Sequence, residues 1–263
     1  MAHEIHETAV VDSDAELGDG VAVGAYTVIE SGVVVGANCR IGPFSRLTGL
    51  TTIGASNHFE SHCSIGAAPQ DLKYAGEPTR LEIGDDNVFR EFVTFHRGTP
   101  DGGGVTTVGS HNLVMASAHV ALVCHVGSHT ICANAATLAG HVAVGDHATV
   151  GALSAVQQFS RVGTHAFLGA FTAANRDCLP YMRTVGGRPA VCYGPNTIGL
   201  ERKGFSEESR KALKQLWRYL YGAKYSTAEA LEKAREEFPE VAEVHEVIRF
   251  IETSKRGVVL GRG

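Results

Sequence analysis

The chain has 263 residues, a formal net charge of −5 at pH 7 and a pI near 6.2. This acidic balance argues against a nucleic-acid partner or an anionic membrane surface, because both normally require an excess of basic residues. The length allows one repeat domain and a small second unit. No apolar run could span a bilayer and the first residues do not resemble a signal peptide, so we expect no membrane span and a cytoplasmic location.

Apolar residues recur at every sixth position through most of residues 11–168. A period of six fits neither a helix face nor a hairpin, but it fits short strands that meet at corners and each point one aliphatic side chain inward. Three such strands close a triangle of about eighteen residues, so the series predicts about eight coils of a parallel β-helix. The glycine that follows many inward residues predicts a corner where the backbone turns without a Cβ clash. The predicted inward residues are Val11, Leu17, Val23, Ile29, Val35, Ile41, Leu47, Ile53, Phe59, Ile65, Ile83, Phe89, Phe95, Val108, Val114, Val120, Val126, Cys132, Leu138, Val144, Val150, Val156, Val162 and Leu168.

Two polar segments interrupt the repeat, near residues 67–80 and 97–107. Loops on a rigid scaffold often carry function. After Leu168 the period is lost, and several Gly and Pro residues mark an irregular connection. We therefore assign residues 1–190 to the β-helix with its two insertion loops, and residues 191–263 to a C-terminal α-helical domain.

Three helices are predicted in the C-terminal part. Ser206 can cap a helix that reaches about Leu220, and residues 226–229 form a capping box for a second helix that ends near Phe238. Pro239 can open a third helix that continues to about residue 253. Such a unit can close the open end of a solenoid.

Residues 70–79, Gln-Asp-Leu-Lys-Tyr-Ala-Gly-Glu-Pro-Thr, form the most specific motif of the chain. With His-Arg-Gly at 96–98, Thr-Leu-Ala-Gly-His at 137–141 and Gly-Leu-Glu-Arg-Lys-Gly-Phe at 199–205, the sequence resembles the acyl carrier protein-dependent UDP-N-acetylglucosamine 3-O-acyltransferases that begin lipid A synthesis. The resemblance covers nearly the whole chain. It implies an all-β left-handed parallel β-helix of hexapeptide repeats with a C-terminal helical domain.

The same resemblance implies a cytoplasmic homotrimer with active sites between neighbouring solenoids. A 3-hydroxyacyl chain would pass from the thioester of acyl carrier protein, the co-substrate, to the sugar 3-hydroxyl of the nucleotide-sugar substrate, with no cofactor and no metal. Ala170 falls at the position that limits acyl length. The residues that would bind the sugar, the acyl group or the nucleotide are Gln70, Asp71, Lys73, His141, Gln158, Asn196 and Arg202.

The chain departs from this family at the catalytic residues. The family reads Ala-His-x-Ala-His-Asp-Cys where residues 118–124 read Ala-His-Val-Ala-Leu-Val-Cys. The usual base position is therefore Leu122 and its carboxylate partner position is Val123, and neither side chain can accept a proton. His125 occupies a different position in its hexad. Two further family positions also differ, at Gln157 and Ile198.

Three functions stay open on the sequence alone. The first is an active acyltransferase in which His119 replaces the lost base, although His119 could instead only hydrogen-bond the substrate. The second is a catalytically inactive paralogue that binds a nucleotide sugar or an acyl group. The third is a metal-dependent hydratase on a similar solenoid, suggested by the thirteen His residues. The spacings of His125 with His129 and of His141 with His147 do not resemble the ligand set of such hydratases.

Overall fold

Each hexad of the repeat forms one short strand, and three successive strands close one coil. The computed structural model describes residues 4–222 and 224–260. In chain order, the strands are β1 (Glu4–Ile5), β2 (Val10–Val11), β3 (Glu16–Leu17), β4 (Ala22–Val23), β5 (Val28–Ile29), β6 (Val33–Val35), β7 (Arg40–Ile41), β8 (Arg46–Leu47), β9 (Leu50–Ile53), β10 (His58–Phe59), β11 (Ser64–Ala67), β12 (Arg80–Ile83), β13 (Val88–Phe89), β14 (Thr94–His96), β15 (Val105–Val108), β16 (Leu113–Val114), β17 (His119–Val120), β18 (His125–Val126), β19 (Ile131–Cys132), β20 (Thr137–Leu138), β21 (Ala143–Val144), β22 (Thr149–Val150), β23 (Ala155–Val156), β24 (Arg161–Val162), β25 (Phe167–Leu168), β26 (Ala173–Ala174), β27 (Met182–Val185) and β28 (Val191–Pro195).

Every third strand belongs to the same parallel sheet, so the solenoid has three walls. Sheet 1 runs from β1 and β4 to β25 and then continues through β27 and β28. Sheet 2 runs from β2 to β26, and sheet 3 from β3 to β24. Strands β27 and β28 pair in antiparallel fashion and end the solenoid. The repeat extends one strand beyond each end of the predicted series, at Ile5 and Ala174.

The inward side chains stack along the axis and form the core. Phe59 and Phe89 are fully buried, and their rings stack with centroids 4.5 Å apart. Burying a side chain of this size contributes about 1.5–3 kcal/mol. Gly36 permits the close approach of neighbouring coils, because a Cβ there would lie 2.5 Å from the carbonyl carbon of Gly54. The corner itself turns at a later residue with positive φ, such as Asn38 (φ 59°), rather than at the glycine.

Four helices follow the solenoid: α1 (Thr197–Arg202), α2 (Glu207–Tyr221), α3 (Thr227–Glu237) and α4 (Ala242–Glu252). Ser206 caps α2 and the capping box of Ser226 starts α3, as the sequence predicts. The last helix begins three residues later than predicted, because residues 239–240 form a turn instead of a first helical turn. Helix α1 was not predicted.

The helices are tied to the last coils through Arg161, which pairs with the buried Asp177 and also contacts α4. Arg161 Nε donates to Asp177 Oδ2 at 2.8 Å, and Asp177 is only 1% exposed. A second nitrogen of the same guanidinium donates to the carbonyl of Phe250 in α4, whose ring lies 4.1 Å from the Arg161 Cζ atom. Within the described ranges, none of these helices combines the length and apolarity needed to cross a bilayer.

Candidate functional site

Both insertions leave the solenoid at the same corner, where sheet 2 passes into sheet 3. The first joins β11 to β12 and the second joins β14 to β15. We call this the loop corner, and it comprises residues 68–79, 97–104, 121–124, 139–142 and 157–160. Its coils are in register, because the His141 amide donates to the carbonyl of Leu122 at 2.9 Å and the Phe159 amide donates to that of Gly140 at 3.2 Å.

The two insertion loops are joined through Arg97. Its guanidinium donates to the carbonyl of Gly66 and, at 3.2 Å, to the hydroxyl of Tyr74. The Asp71 carboxylate accepts the amide of Lys73 at 3.0 Å, which fixes a tight turn in the first loop. Gln70 and Lys73 are exposed and Asp71 is half-buried, so polar groups of this loop are free to meet a ligand.

His119 is the first residue of β17 in sheet 2, just before the chain reaches the loop corner. Its Nδ1 lies 2.7 Å from the Thr94 hydroxyl, and its ring packs edge-on against that of His96 with centroids 4.8 Å apart. Burial lowers the pKa of His119. Burial and the neighbouring His119 and Arg97 lower the pKa of His96 to about 4, and His96 Nδ1 is buried without a hydrogen-bond partner. Both imidazoles are therefore neutral at pH 7.

Leu122 and Val123 give the loop corner an apolar floor. Leu122 lies over Gly140, where a Cβ would be 3.2 Å from Leu122 Cδ1. Val123 is 3% exposed and has φ 55°, a conformation that is unusual for a β-branched residue. Gly102 of the second insertion covers it, since a Cβ at Gly102 would lie 2.4 Å from Val123 Cγ1. No proton acceptor stands at either position.

His141 is the imidazole that faces both insertion loops. Its Cε1 would lie 2.8 Å from a Cβ at Gly102, and its ring stacks on Phe159 with centroids 4.4 Å apart. Burial lowers the pKa of His141, while the carboxylates of Asp101 and Asp71 oppose this effect by favouring the imidazolium. One carboxylate comes from each insertion, so the loops bring negative charge to this imidazole.

A cationic cleft of about 1000 Å³ lies on another side of the chain, over sheet 1. Asn196 and Arg202 line it at the two ends of α1. Asn196 caps that helix by accepting the Gly199 amide at 3.3 Å, and it donates to the carbonyl of His165. The basic side chains that line the cleft are Arg183, Arg202, Lys203, Arg210, Lys211 and Lys214. Glu207 is the one carboxylate among the lining residues, so the cleft favours an anion.

Four imidazoles form a stacked column at the corner between sheets 3 and 1, at the edge of the cationic cleft. This imidazole column consists of His111, His129, His147 and His165, with successive ring centroids 4.8, 4.7 and 4.5 Å apart. Sequence analysis missed the column, although its regular spacing of one coil is visible in the sequence. Burial, together with His147 and Lys203, lowers the pKa of His165 to about 4.

The remaining predicted residues lie on separate parts of the solenoid. Gln158 is exposed at the loop corner, one position before Phe159. Ala170 is exposed at the corner between sheets 1 and 2, just after β25. His125 lies in sheet 3, where its Nδ1 is 2.9 Å from the Thr107 hydroxyl. Over residues 4–222 and 224–260, no three His, Cys, Asp or Glu side chains are grouped so that they could hold a metal ion.

Comparison with known proteins identifies acyltransferases as relatives of this chain. A profile described as "Udp N-acetylglucosamine O-acyltransferase; Domain 2" matches residues 177–259, and the bacterial transferase hexapeptide profile matches residues 5–49. The chain is 46% identical to the acyl-(acyl-carrier-protein)–UDP-N-acetylglucosamine O-acyltransferase of Syntrophobacter fumaroxidans, over 97% of this chain and 99% of the relative. The protein of the same name from Myxococcus xanthus is also 46% identical, over 97% and 98%. The solved structure of LpxA from Acinetobacter baumannii has 36% identity and a TM-score of 0.94, with 97% of this chain and 99% of that chain covered.

Proposed function

The chain belongs to the UDP-N-acetylglucosamine O-acyltransferase family, and we propose that it transfers a 3-hydroxyacyl group from acyl carrier protein to the sugar 3-hydroxyl of UDP-N-acetylglucosamine. This membership confirms two predictions from the sequence, the hexapeptide-repeat β-helix with C-terminal helices and the O-acyltransferase class. The observation that carries the proposal is the pairing of a cationic cleft with a loop corner that holds imidazoles and carboxylates.

The cationic cleft suits the nucleotide. A diphosphate needs permanent positive charge, and the planar guanidinium of Arg202 supplies two parallel donors. Lys203 and Arg210 line the same cleft and add to the positive potential. Asn196, held at the start of α1 by its capping contact, would present its amide to the nucleoside.

The loop corner suits the sugar and the acyl group. Asp71 and Lys73 stand in the first insertion, and His141 and Gln158 stand at the same corner on the third and fourth coils after it. Hydroxyl groups of a sugar need donors and acceptors of this kind. Ala170 lies on a different corner and would meet the far end of the acyl chain.

The loop corner and the cationic cleft lie on different sides of one chain, so one copy cannot bring both to the same ligand. We propose a homotrimer in which the loop corner of one solenoid faces the cationic cleft of its neighbour. A closed ring of three copies satisfies each surface with a heterologous contact. The cytoplasm, where we place this trimer, supplies the carrier protein as a partner. Because a thioester is already an activated acyl donor, the reaction needs no cofactor or metal.

The family resemblance does not supply the proton acceptor, because Leu122 stands at the usual base position. His119 is the substitute that the sequence predicts, and the Thr94 hydroxyl orients its ring. A hydroxyl stabilises an imidazolium less than a carboxylate does, because it carries no charge. A role for His119 in hydrogen bonding the substrate fits the same contacts. Substitution of His119 by Ala tests the first role, since loss of turnover would support a base at His119 and unchanged turnover would end that assignment.

A binding protein without turnover is the second candidate function, and the apolar pair Leu122 and Val123 favours it. Loss of a general base typically costs ~10²–10⁴ in rate while leaving much of the binding energy in place. Such a protein would bind the nucleotide sugar and release it unchanged.

A direct transfer assay tests the proposal against this second candidate. Purified protein is mixed with 3-hydroxyacyl carrier proteins of several chain lengths and UDP-N-acetylglucosamine, and the 3-O-acyl product is measured by mass spectrometry. A parallel calorimetric titration measures nucleotide-sugar binding. The proposal predicts both binding and product. Binding without product supports the binding protein, and the absence of both contradicts the two functions together.

A further inference from the structure

His141 lies where a proton acceptor could replace the one missing at Leu122. His141 lies one coil from Val123, the position of the missing carboxylate, and its backbone amide donates to the carbonyl of the adjacent Leu122 at 2.9 Å. The ring is held by stacking on Phe159 and by the close approach of Gly102. A base must be positioned before it can act, and these two contacts hold the ring.

The charges around His141 are those that a general base requires. A base becomes positive when it takes a proton, and a nearby carboxylate stabilises that imidazolium. Asp101 and Asp71 both act on His141 in this sense. The other titratable group that acts on it is His125, whose effect is smaller and in the opposite direction. His119 differs, because its close partners are the neutral Thr94 hydroxyl and the His96 ring.

We propose that His141 is the general base of this chain and that the carboxylates of Asp101 and Asp71, one from each insertion, favour its imidazolium. This inference rests on the proposed function. It assigns the base to a residue that the family resemblance gives only a substrate contact, and it predicts that the chemistry has moved by one coil along the loop corner.

The reaction step balances without any further reactant. The sugar 3-hydroxyl gives its proton to a ring nitrogen of His141 as its oxygen forms a bond to the thioester carbonyl carbon. The tetrahedral intermediate then collapses, and the bond from carbon to sulfur breaks. The departing thiolate takes the proton back from the imidazolium, so His141 returns to its neutral form and the carrier leaves as a thiol.

The second insertion explains how Asp101 reaches this position. Residues 100–102 form a single 3₁₀ turn, and Gly103 ends it with φ 87°. Gly102 has no side chain to hold the turn away from His141 and Val123, so the turn that carries Asp101 packs against the imidazole. A larger residue at Gly102 would push the turn outward and separate the carboxylate from the ring.

The test compares His141→Gln, Asp101→Asn and His119→Gln with the wild-type chain in the transfer assay. We expect His141→Gln to lower kcat by ~10²–10⁴. We expect Asp101→Asn to lower kcat/KM by about tenfold and to move the acidic limb of its pH profile to lower pH, since the neutral amide no longer favours the imidazolium. His119→Gln should change KM more than kcat. UDP titration and thermal unfolding verify that each variant is folded.

A rescue background separates catalysis from packing. In a chain that carries Leu122→His with Val123→Asp, we expect His141→Gln to cost far less than in the wild-type chain, because the restored pair supplies the base. Turnover that survives His141→Gln in the wild-type background overturns the inference and leaves the proposed function standing. Absence of turnover in the wild-type chain itself overturns both. An equal loss from His141→Gln in both backgrounds also overturns the inference, because it indicates substrate contact alone.

Discussion

The loop corner and the cationic cleft differ in how well each fits the chemistry of the family. The cleft offers six basic side chains and one carboxylate to an anion. The loop corner has an apolar floor at the position where a base is expected, with Val123 only 3% exposed. Since the two lie on different sides of the solenoid, the proposed function assigns nucleotide binding and proton transfer to separate surfaces. One surface can therefore change while the other is kept.

Restoring the family's histidine and aspartate at positions 122 and 123 should have the largest effect on the rate of acyl transfer. Leu122→His with Val123→Asp is expected to raise kcat by ~10², because it adds a base with a carboxylate on the next residue to a chain in which His141 has no such close carboxylate. Aspartate also tolerates the positive φ of position 123 better than valine does. Steady-state acyl transfer measures the gain.

The matched control is Leu122→Gln with Val123→Asn, which introduces polar groups of similar shape that cannot act as a base. It should leave kcat near that of the wild-type chain. A folded His and Asp variant that shows no gain would mean that the apolar floor is not what limits the reaction.

A smaller effect is expected for substitutions in the cationic cleft. Arg202→Ala should weaken UDP binding by about 10–100-fold, because it removes charge-assisted hydrogen bonds to the diphosphate. Lys211→Ala is the control in the same cleft, since its ammonium lies 2.7 Å from Glu207 in an exposed pair and should matter little. Calorimetry with UDP alone measures both. Equal losses in the two variants would indicate general electrostatic attraction rather than a built site.

The smallest effect is on the free energy of unfolding. It compares an imidazole beside the loop corner with one at the edge of the cationic cleft. The pKa of His96 beside the loop corner and that of His165 in the imidazole column are both lowered to about 4. Between about pH 6.5 and 4 the unfolded chain therefore binds more protons than the folded chain, and stability falls as the pH is lowered. His96 is 6% exposed, and between pH 7 and pH 5 its share of this loss is about 2 kcal/mol.

Urea unfolding at pH 7 and pH 5 measures this loss. His96→Gln should reduce the difference between the two pH values, and His165→Gln should reduce it less because its ring is only partly buried. A pH dependence that is unchanged in His96→Gln would show that its imidazole is not held neutral by burial.

The solenoid could be predicted because its repeat depends only on the spacing of residues that are close in sequence. Each inward residue, such as Ile29 or Leu138, is identified by its own spacing, and burial follows from the closure of the coil. Even the imidazole column could have been found by adding one coil length to His111. Helix α1 could not, because six residues that include Gly199 have low helix propensity and depend on the Asn196 cap.

The loop corner was harder to predict for a physical reason. The sequence shows that Leu122 and Val123 replace polar residues, but it does not show what covers them. Gly102 contacts His141 from a different coil, because the irregular second insertion folds over the corner. The six-residue repeat does not predict such a contact. The approach of Asp101 to His141 follows from that contact, so the electrostatics of the site came only from the structure.

The rate of acyl transfer measured against UDP-N-acetylglucosamine concentration, in the wild-type chain and in Leu122→His with Val123→Asp, tests the separation of binding from chemistry most directly. We predict turnover in both chains, with kcat values that differ by ~10² and half-saturating concentrations that agree within about threefold. A difference confined to the half-saturating concentration, or no turnover in either chain, would contradict this account.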